Sequence, residues 1–385
     1  MNSSQSRRQF LQAGLALPAV AGLSSPGGLN AVLQGSQQVQ YRTMGNTGLK
    51  VSSVGYGIGF NPVPEVVARA IDMGVNYFDT ARSYGDSEMI FAGVIKGKRD
   101  KIHIATKSSS RTKEAILKDI DTSLATLGTD YVDIWHLHGL DTWPNSPESV
   151  TDDILDAMLQ CKKSGKARFI GFSCHDPNKM VDFVLKTKVF EVIQSTYSFA
   201  IGGVYRDAAI KRLSEAGIGL SAMKVVVALS GLNLKSIDNP PARPNGEGPL
   251  AGIKWVLNNP AISTTVPFMQ KIPELEMNFR AMSEPYTDAD EKMLFVMNEQ
   301  IRPYYCRMCF SCSGVCPKGV PVADVLRFLA YNDFAGNYYQ AKSNFQDLAR
   351  EIRDVRCSDC SSCAIKCPNG VHVQTRLSRA QEILA

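Results

Sequence analysis

The chain has 385 residues, 44% of them hydrophobic, so it can bury a full core and more than one domain. Its net charge of +5, with no long basic run, argues against a nucleic-acid partner. No stretch reaches the roughly eighteen uninterrupted apolar residues of a membrane helix, so no permanent span is expected. The charge is uneven: from residue 300 onward eleven Lys and Arg face seven Asp and Glu, a basic tail suited to an anionic prosthetic group or simply a solvated face.

The first residues stand apart from the rest. SRRQFLQAGLALPAVAG carries Arg7 and Arg8, then Phe10 and Leu11, then a mild apolar run ending in Ala19, Val20 and Ala21. A positive start, a short apolar middle and small residues at a cleavage point are the order of an export signal. The arginine pair resembles a twin-arginine signal, with Gln12 where lysine is common; a disordered or short helical start is the alternative. Residues 1–35 are therefore set aside as an export signal and linker. The expectation is a bacterial protein exported to the periplasm or cell envelope, its cofactors loaded in the cytoplasm first.

Between residues 51 and 270 short apolar runs alternate with amphipathic stretches of helical period. SSVGYGIG, NYFDTA, KIHIATK, YVDIWHLHGL, ARFIGFSC, EVIQSTYSF, GIGLSAMKV and STTVPFM read as strands. PEVVARAIDMG, KEAILKDIDTSLATLG, DDILDAMLQCKKSG, PNKMVDFVLKT, DAAIKRLSEAG and GPLAGIKWVLNN read as helices, many stopping at Gly or Asn as C-caps do. This alternation predicts an α/β fold, a parallel (β/α)8 TIM barrel over residues 36–290, rather than a doubly wound sheet. The glycines of GYGIGF, at 55, 57 and 59, do not complete a dinucleotide-binding G-x-G-x-x-G. NPPARPNGEGP, residues 239–249, follows the seventh strand without helical period, as either a cover for a ligand or an ordinary surface loop.

Beyond the barrel, TDADEKMLFVMNEQI predicts a helix capped by Thr287 or Asp288. ADVLRFLAYNDF, QAKSNFQDLAREI and VQTRLSRAQEIL have helical spacing too. Residues 291–385 therefore read as a small α-helical domain built around two cysteine clusters.

Four polar residues fall at or just beyond the ends of successive strands, where a barrel does its chemistry: Asp79, Tyr84, Lys107 and His138. A tyrosine beside a lysine is a candidate proton donor, because the ammonium favours the phenolate and draws its pKa toward working pH. Asp79 would orient the lysine, and a neutral histidine would position a carbonyl oxygen. Singly, each has an ordinary structural explanation; His136, two residues before His138, is expected to be a satisfied core histidine.

In this order the residues resemble the aldo-keto reductases, over about residues 40–285. YRTMGNTGLKVSSVGYG is similar to that family's opening hairpin and first strand, and GVNYFDTARSYGDSE to its second strand and loop. YVDIWHLH, ARFIGFS and LAGIKWVLNNPAISTTVP follow in matching order. The resemblance implies nicotinamide-dependent interconversion of a carbonyl and an alcohol on a small aldehyde, ketone or sugar. In it Tyr84 is the general acid or base, Lys107 and Asp79 its tuning pair, and His138 the group that orients substrate.

For the cofactor the resemblance implies Ser173 and Gln194 at the carboxamide, though Cys174 stands where the family has Asn. It puts Met223 in place of a stacking aromatic, followed by Lys224. The family's basic positions for a 2′-phosphate, counted back from Asn278, fall on Phe268 and Glu274. A carboxylate repels that phosphate and accepts from a ribose hydroxyl. The expectation is NAD or NADP with weaker NADP preference than is usual, unless Lys271 rescues it.

The tail repeats C-x2-C-x2-C-x3-C-P: Cys306, Cys309, Cys312 and Cys316, then Cys357, Cys360, Cys363 and Cys367. This run suits a ferredoxin-like pair of 4Fe-4S clusters, in which the fourth cysteine of each motif reaches the other cluster. One cluster would take Cys306, Cys309, Cys312 and Cys367, the other Cys357, Cys360, Cys363 and Cys316. Paired zinc sites or a disulfide framework are the alternatives, and both fit the Cys-Pro duplication less well. Cys161 reads as a small buried hydrophobe, and Cys174 also lies outside the pattern. The clusters point to a redox partner protein beside the small-molecule substrate. The rival function is an electron carrier or sensor whose barrel binds without hydride turnover.

Overall fold

The structure is a computed structural model that describes residues 38–141, 145–229 and 246–385. The export signal read over residues 1–35 and most of the 239–249 loop lie outside the described residues. Two strands, β1 (Tyr41–Thr43) and β2 (Lys50–Ser52), form an antiparallel hairpin. Its Met44, Leu49 and Val51 pack with Tyr77, Ala105, Ile134 and Val192 of the barrel interior, so the hairpin closes the barrel's N-terminal end.

Eight parallel strands follow in order: β3 (Tyr56–Gly57), β4 (Tyr77–Asp79), β5 (His103–Ser108), β6 (Val132–Leu137), β7 (Ala167–Cys174), β8 (Val192–Thr196), β9 (Gly219–Met223) and β10 (Thr264–Thr265). Each falls on one of the eight runs read from the sequence, β5 extending one residue past KIHIATK to Ser108. The sheet closes through a parallel bridge between Val54 and Thr265. Gly55 N donates to Thr265 O at 2.8 Å, and Gly57 N to Pro267 O at 2.9 Å. This closure explains the glycines that failed to make a dinucleotide motif. A Cβ on Gly57 would stand 2.7 Å from Val266 O, so only glycine lets the first and last strands approach.

The outer ring is α1 (Pro64–Asp72), α2 (Ser87–Ile95), α3 (Lys113–Leu127), α4 (Asp152–Lys163), α5 (Pro177–Thr187), α6 (Asp207–Glu215), α7 (Gly248–Leu257) and α8 (Ile272–Phe279). At the barrel's lower end Asp133 is a buried hub. It accepts from Arg99 at 2.8 Å, Arg168 at 2.7 Å and Ile104 N at 2.9 Å, and lies 3.3 Å from His103 Nδ1. Burial pushes its carboxyl up, but His103 and Arg99 outweigh that and hold it down at about 2. A depressed carboxyl stabilises fully above its unfolded value of 3.8 and loses that contribution as pH falls through about 2. Asp133→Asn is expected to cost about 1–3 kcal/mol at neutral pH, read by urea unfolding, because it removes the buried carboxylate to which part-buried Arg99 and exposed Arg168 donate. The difference between variant and wild type should shrink below about pH 4.

The tail holds α9 (Asp288–Ile301), α10 (Val322–Asp333), α11 (Tyr338–Gln346), α12 (Arg350–Arg353) and α13 (Val373–Leu384). Thr287 caps α9 as read from the sequence, with Asp290 completing a capping box. QAKSNFQDLAREI, read as one helix, is divided between α11 and α12. The tail has its own core, with Leu326, Phe328, Leu329 and Phe345 against Leu377 and Leu384. A second apolar cluster joins Leu294, Met297, Tyr305 and Phe334 of the tail to Ile201, Leu229 and Ala251 of the barrel side. Arg206 strengthens this seam, donating to the Met308 carbonyl at 3.2 Å. Among the described residues no helix is long and apolar enough to cross a membrane.

Candidate active site

The C-terminal ends of β4, β5 and β6 bring the four predicted residues together. Lys107, 1% exposed, donates to both carboxylate oxygens of Asp79 at 2.6 and 2.7 Å and to the Thr80 carbonyl at 2.7 Å. Its three N–H donors are thus matched by three acceptors, which is what a buried ammonium requires. Tyr84, half-buried, lies with its ring centroid 5.8 Å from Lys107 Nζ and edge-on to His138 at 5.6 Å. Phe60 packs on its other side at 5.3 Å. His138 Nδ1 lies 3.2 Å from Ser83 Oγ, and burial, then Lys107 and His175, hold the ring neutral well below its ordinary pKa. A neutral imidazole is the form expected to position a substrate oxygen.

One electrostatic expectation is overturned. Tyr84 is not drawn toward working pH: burial, then the Asp79 carboxylate, then Tyr331 push its phenol up. Burial outweighs the rest, and the charge of Lys107, paired with Asp79, does not offset it. Tyr84 is therefore held as a protonated donor. His136 is fully buried as expected, with the Phe172 backbone against its ring, and burial, then Lys107, hold it neutral.

A cavity of about 440 Å³ opens above Asp79 and Tyr84, lined by Gln194, Met223 and Lys224. A groove of about 640 Å³ shares Lys224 and Phe268 with it and runs on past Glu274 to Asn278. Among the described residues Gln194 Nε2 and Asn278 Oδ1 are buried without a hydrogen-bond partner, a donor in the cavity and an acceptor in the groove. Ser173 lines neither space; its hydroxyl accepts from Gly139 N at 2.9 Å. Lys271 is exposed at the cap of α8 and also lines neither, whereas Glu274 lines the groove and accepts from Gln270 N at 2.9 Å.

The tail supplies residues the sequence reading did not assign to this site. Tyr331 at the end of α10, and residues 335–340 that follow, line the cavity opposite Tyr84. The signal for them was faint: a Tyr-Tyr pair opening a helix, of which Tyr339 is 86% exposed. Glu88 was also missed; it is buried and accepts from Thr106, Ser123 and Arg82 behind the site.

The cysteines fall into two sets. Cys306 lies within electrostatic reach of Cys312, Cys309 and Cys367, and Cys357 within reach of Cys360, Cys316 and Cys363. Each set thus takes its fourth member from the other motif. Met308 N donates to Cys306 Sγ at 3.3 Å, and Asn369 Nδ2 to Cys309 Sγ at 3.2 Å. Met308 and Phe310 have φ of 51° and 57°, left-handed backbone of the kind concentrated at functional sites. None of the ten cysteines forms a disulfide; Cys161 and Cys174 are buried, with thiols pushed up by burial. Among the described residues no three His, Cys, Asp or Glu side chains are grouped to hold a single metal ion.

An eight-stranded parallel barrel thus gathers an Asp, a Tyr, a Lys and a His at its C-terminal mouth, the face on which this fold places its active sites. Residues 57–245 match the Aldo/keto reductase family. The chain is 34% identical over 157 residues to L-galactose dehydrogenase of Arabidopsis thaliana, covering 35% of this chain and 49% of that protein. It is 27% identical over 215 residues to L-glyceraldehyde 3-phosphate reductase of Escherichia coli K12, covering 48% and 61%. The chain thus spans about half the length of the curated relatives it matches. Among solved structures, an aldo-keto reductase from Klebsiella pneumoniae in complex with NADPH superposes with a TM-score of 0.56 at 21% identity, covering 68% of this chain and 95% of that one. At that identity the likeness concerns the fold.

Proposed function

We propose that the protein is an oxidoreductase that interconverts a carbonyl and an alcohol with a nicotinamide cofactor, Tyr84 serving as general acid. The observation that carries this reading is the pairing of Tyr84, held protonated, with the unpartnered Gln194 Nε2 in one cavity. Gln194 Nε2 and Asn278 Oδ1 fit the carboxamide and the adenosine end of a dinucleotide lying along cavity and groove. A bound nicotinamide supplies or accepts the hydride. His138, neutral, donates to the substrate oxygen and holds it near the Tyr84 hydroxyl. In reduction the Tyr84 O–H bond breaks as that oxygen gains charge, and Asp79 and Lys107 keep the phenol in place. The substrate is a small polyhydroxylated carbonyl or alcohol, a class suggested by the sugar and sugar-phosphate names of several relatives.

In the tail, Cys306, Cys309, Cys312 and Cys367 would hold one 4Fe-4S cluster, and Cys357, Cys360, Cys363 and Cys316 the other. The two interlocked sets and the N–H donors aimed at sulfur fit this group. Each thiolate of a cubane binds a different iron, so four sulfurs surround the cluster rather than meet at one ion. Bound clusters supply one-electron chemistry, for which a redox partner protein is the natural counterpart. Twin-arginine export of the folded, loaded protein, read from Arg7 and Arg8, is part of the same proposal. A retained nicotinamide then reconciles the chemistry with a compartment poor in free nucleotide.

Glu274 faces the groove, so discrimination in favour of NADP should be weak. Parallel calorimetric titrations of NAD and NADP test this, with Glu274→Lys expected to raise NADP affinity about tenfold over wild type. Strong NADP selectivity in the wild-type protein would contradict the assignment of Glu274.

A further inference from the structure

We propose that Tyr331, carried by the tail, is the positioning residue that sets how much of the Lys224 charge the barrel's cavity presents to an anionic ligand. The proposal rests on the dinucleotide reading above in one respect: the ligand it names is the pyrophosphate of such a cofactor. Lys224 lies on the seam between cavity and groove and lines both. It is held there in left-handed backbone, with φ of 60°, a conformation a lysine adopts only when its surroundings require it. Its Nζ donates to Tyr331 Oη at 3.1 Å and lies 4.2 Å from the tyrosine ring centroid. One of three ammonium donors is used in that bond, so others are available to a ligand.

Tyr331 is not a passive cap. Arg327, one turn earlier on α10, donates to the same phenol oxygen at 3.0 Å while its other nitrogen pairs with Asp324 at 2.7 Å. Two cationic donors converge on one oxygen, an arrangement that favours the phenolate. Burial pushes the phenol up, but Lys224 and Arg327 outweigh it and bring it down to about 8. The remaining groups that face the cluster are Tyr84, with Asp79 and Lys107 behind it, Tyr305 from the segment after α9, and the His175–Asp141 pair. Burial raises Tyr84 and Tyr305 and holds His175 neutral, so near pH 8 Tyr331 is the group among these that changes charge.

The consequence follows from charge counting. Arg327 and Asp324 cancel. With Tyr331 protonated, Lys224 offers the seam a net positive charge. Once the phenol ionises, phenolate and ammonium form a neutral pair and the attraction for an anion falls. Two phenols pushed apart in one cavity thereby divide the work: Tyr84 keeps its proton for chemistry, and Tyr331 governs binding.

The test uses the full, cluster-loaded protein with NADP+ and, separately, sulfate, whose charge does not change over the range studied. Wild-type affinity for both is expected to fall about tenfold between about pH 7 and pH 9.5, while Tyr331→Phe keeps only the smaller fall that comes from Lys224 itself, whose ammonium burial lowers. Ultraviolet difference titration should show one tyrosine ionising near pH 8 in the wild type and absent from Tyr331→Phe. Lys224→Met, which leaves the phenol in place, should shift that ionisation upward and weaken both ligands at every pH. An equal fall in Tyr331→Phe, no fall in the wild type, or no tyrosine ionising near pH 8 overturns the proposal. If NADP+ binds neither protein but sulfate shows the Tyr331-dependent fall, the dinucleotide reading fails and the role of Tyr331 stands.

Discussion

Replacing Tyr84 with phenylalanine is expected to lower kcat by about two to four orders of magnitude, the usual range for loss of a positioned acid. The ring is held by Phe60 on one side and His138 on the other, so removal of the hydroxyl leaves the packing intact. KM and nucleotide affinity should change little, because Gln194, Asn278 and Lys224 are untouched. The visible spectrum of the tail should be unchanged. The wild-type kcat of reduction should hold up to alkaline pH without a limb at the ordinary tyrosine value, since burial and Asp79 push the Tyr84 phenol up. Unchanged turnover in Tyr84→Phe would favour the rival, in which the barrel binds a ligand and electrons move only through the tail.

The second large effect concerns the cysteines. Cys316→Ala is expected to remove the cluster of Cys357, Cys360 and Cys363, although Cys316 lies in the other motif. Iron should fall from about eight to about four atoms per chain. Double variants separate the interlocked arrangement from two local ones. Cys316→Ala with Cys357→Ala should lose no more iron than Cys316→Ala alone, whereas Cys316→Ala with Cys306→Ala should lose nearly all. Local clusters predict the reverse. The electrostatic neighbours of Cys306 and Cys357 support the interlocked result.

The barrel was legible because its strands are buried on both faces and bounded by turns, so each appears as a short apolar run. The helices α2 and α8 were less so: SEMIFAGVI is apolar nearly all round, and IPELEMNF is barely two turns long. Asp79, Tyr84, Lys107 and His138 could be read because each falls at or just past a strand end. What could not be read is how charge is shared among them. Burial of Tyr84, and then the Asp79 carboxylate beside it, reverses the direction in which its phenol shifts, and both exist only in three dimensions. Tyr331 lies 247 positions beyond Tyr84, in a segment whose pattern reports only a helix; no local signal joins the two. Asp133 and Glu88 likewise gather partners from several elements, which a one-dimensional pattern does not display.

The central claim is that hydride passes directly between nicotinamide and a carbonyl carbon in the cavity above Tyr84. The most direct test supplies the anaerobically purified protein with NADPH and NADH carrying deuterium at both C4 positions and with glyceraldehyde as probe. Mass spectrometry then locates the label. The account predicts one deuterium on the new carbinol carbon, and loss of that product in Tyr84→Phe. Consumption of the carbonyl with no deuterium in the product would contradict it and route the electrons through the tail.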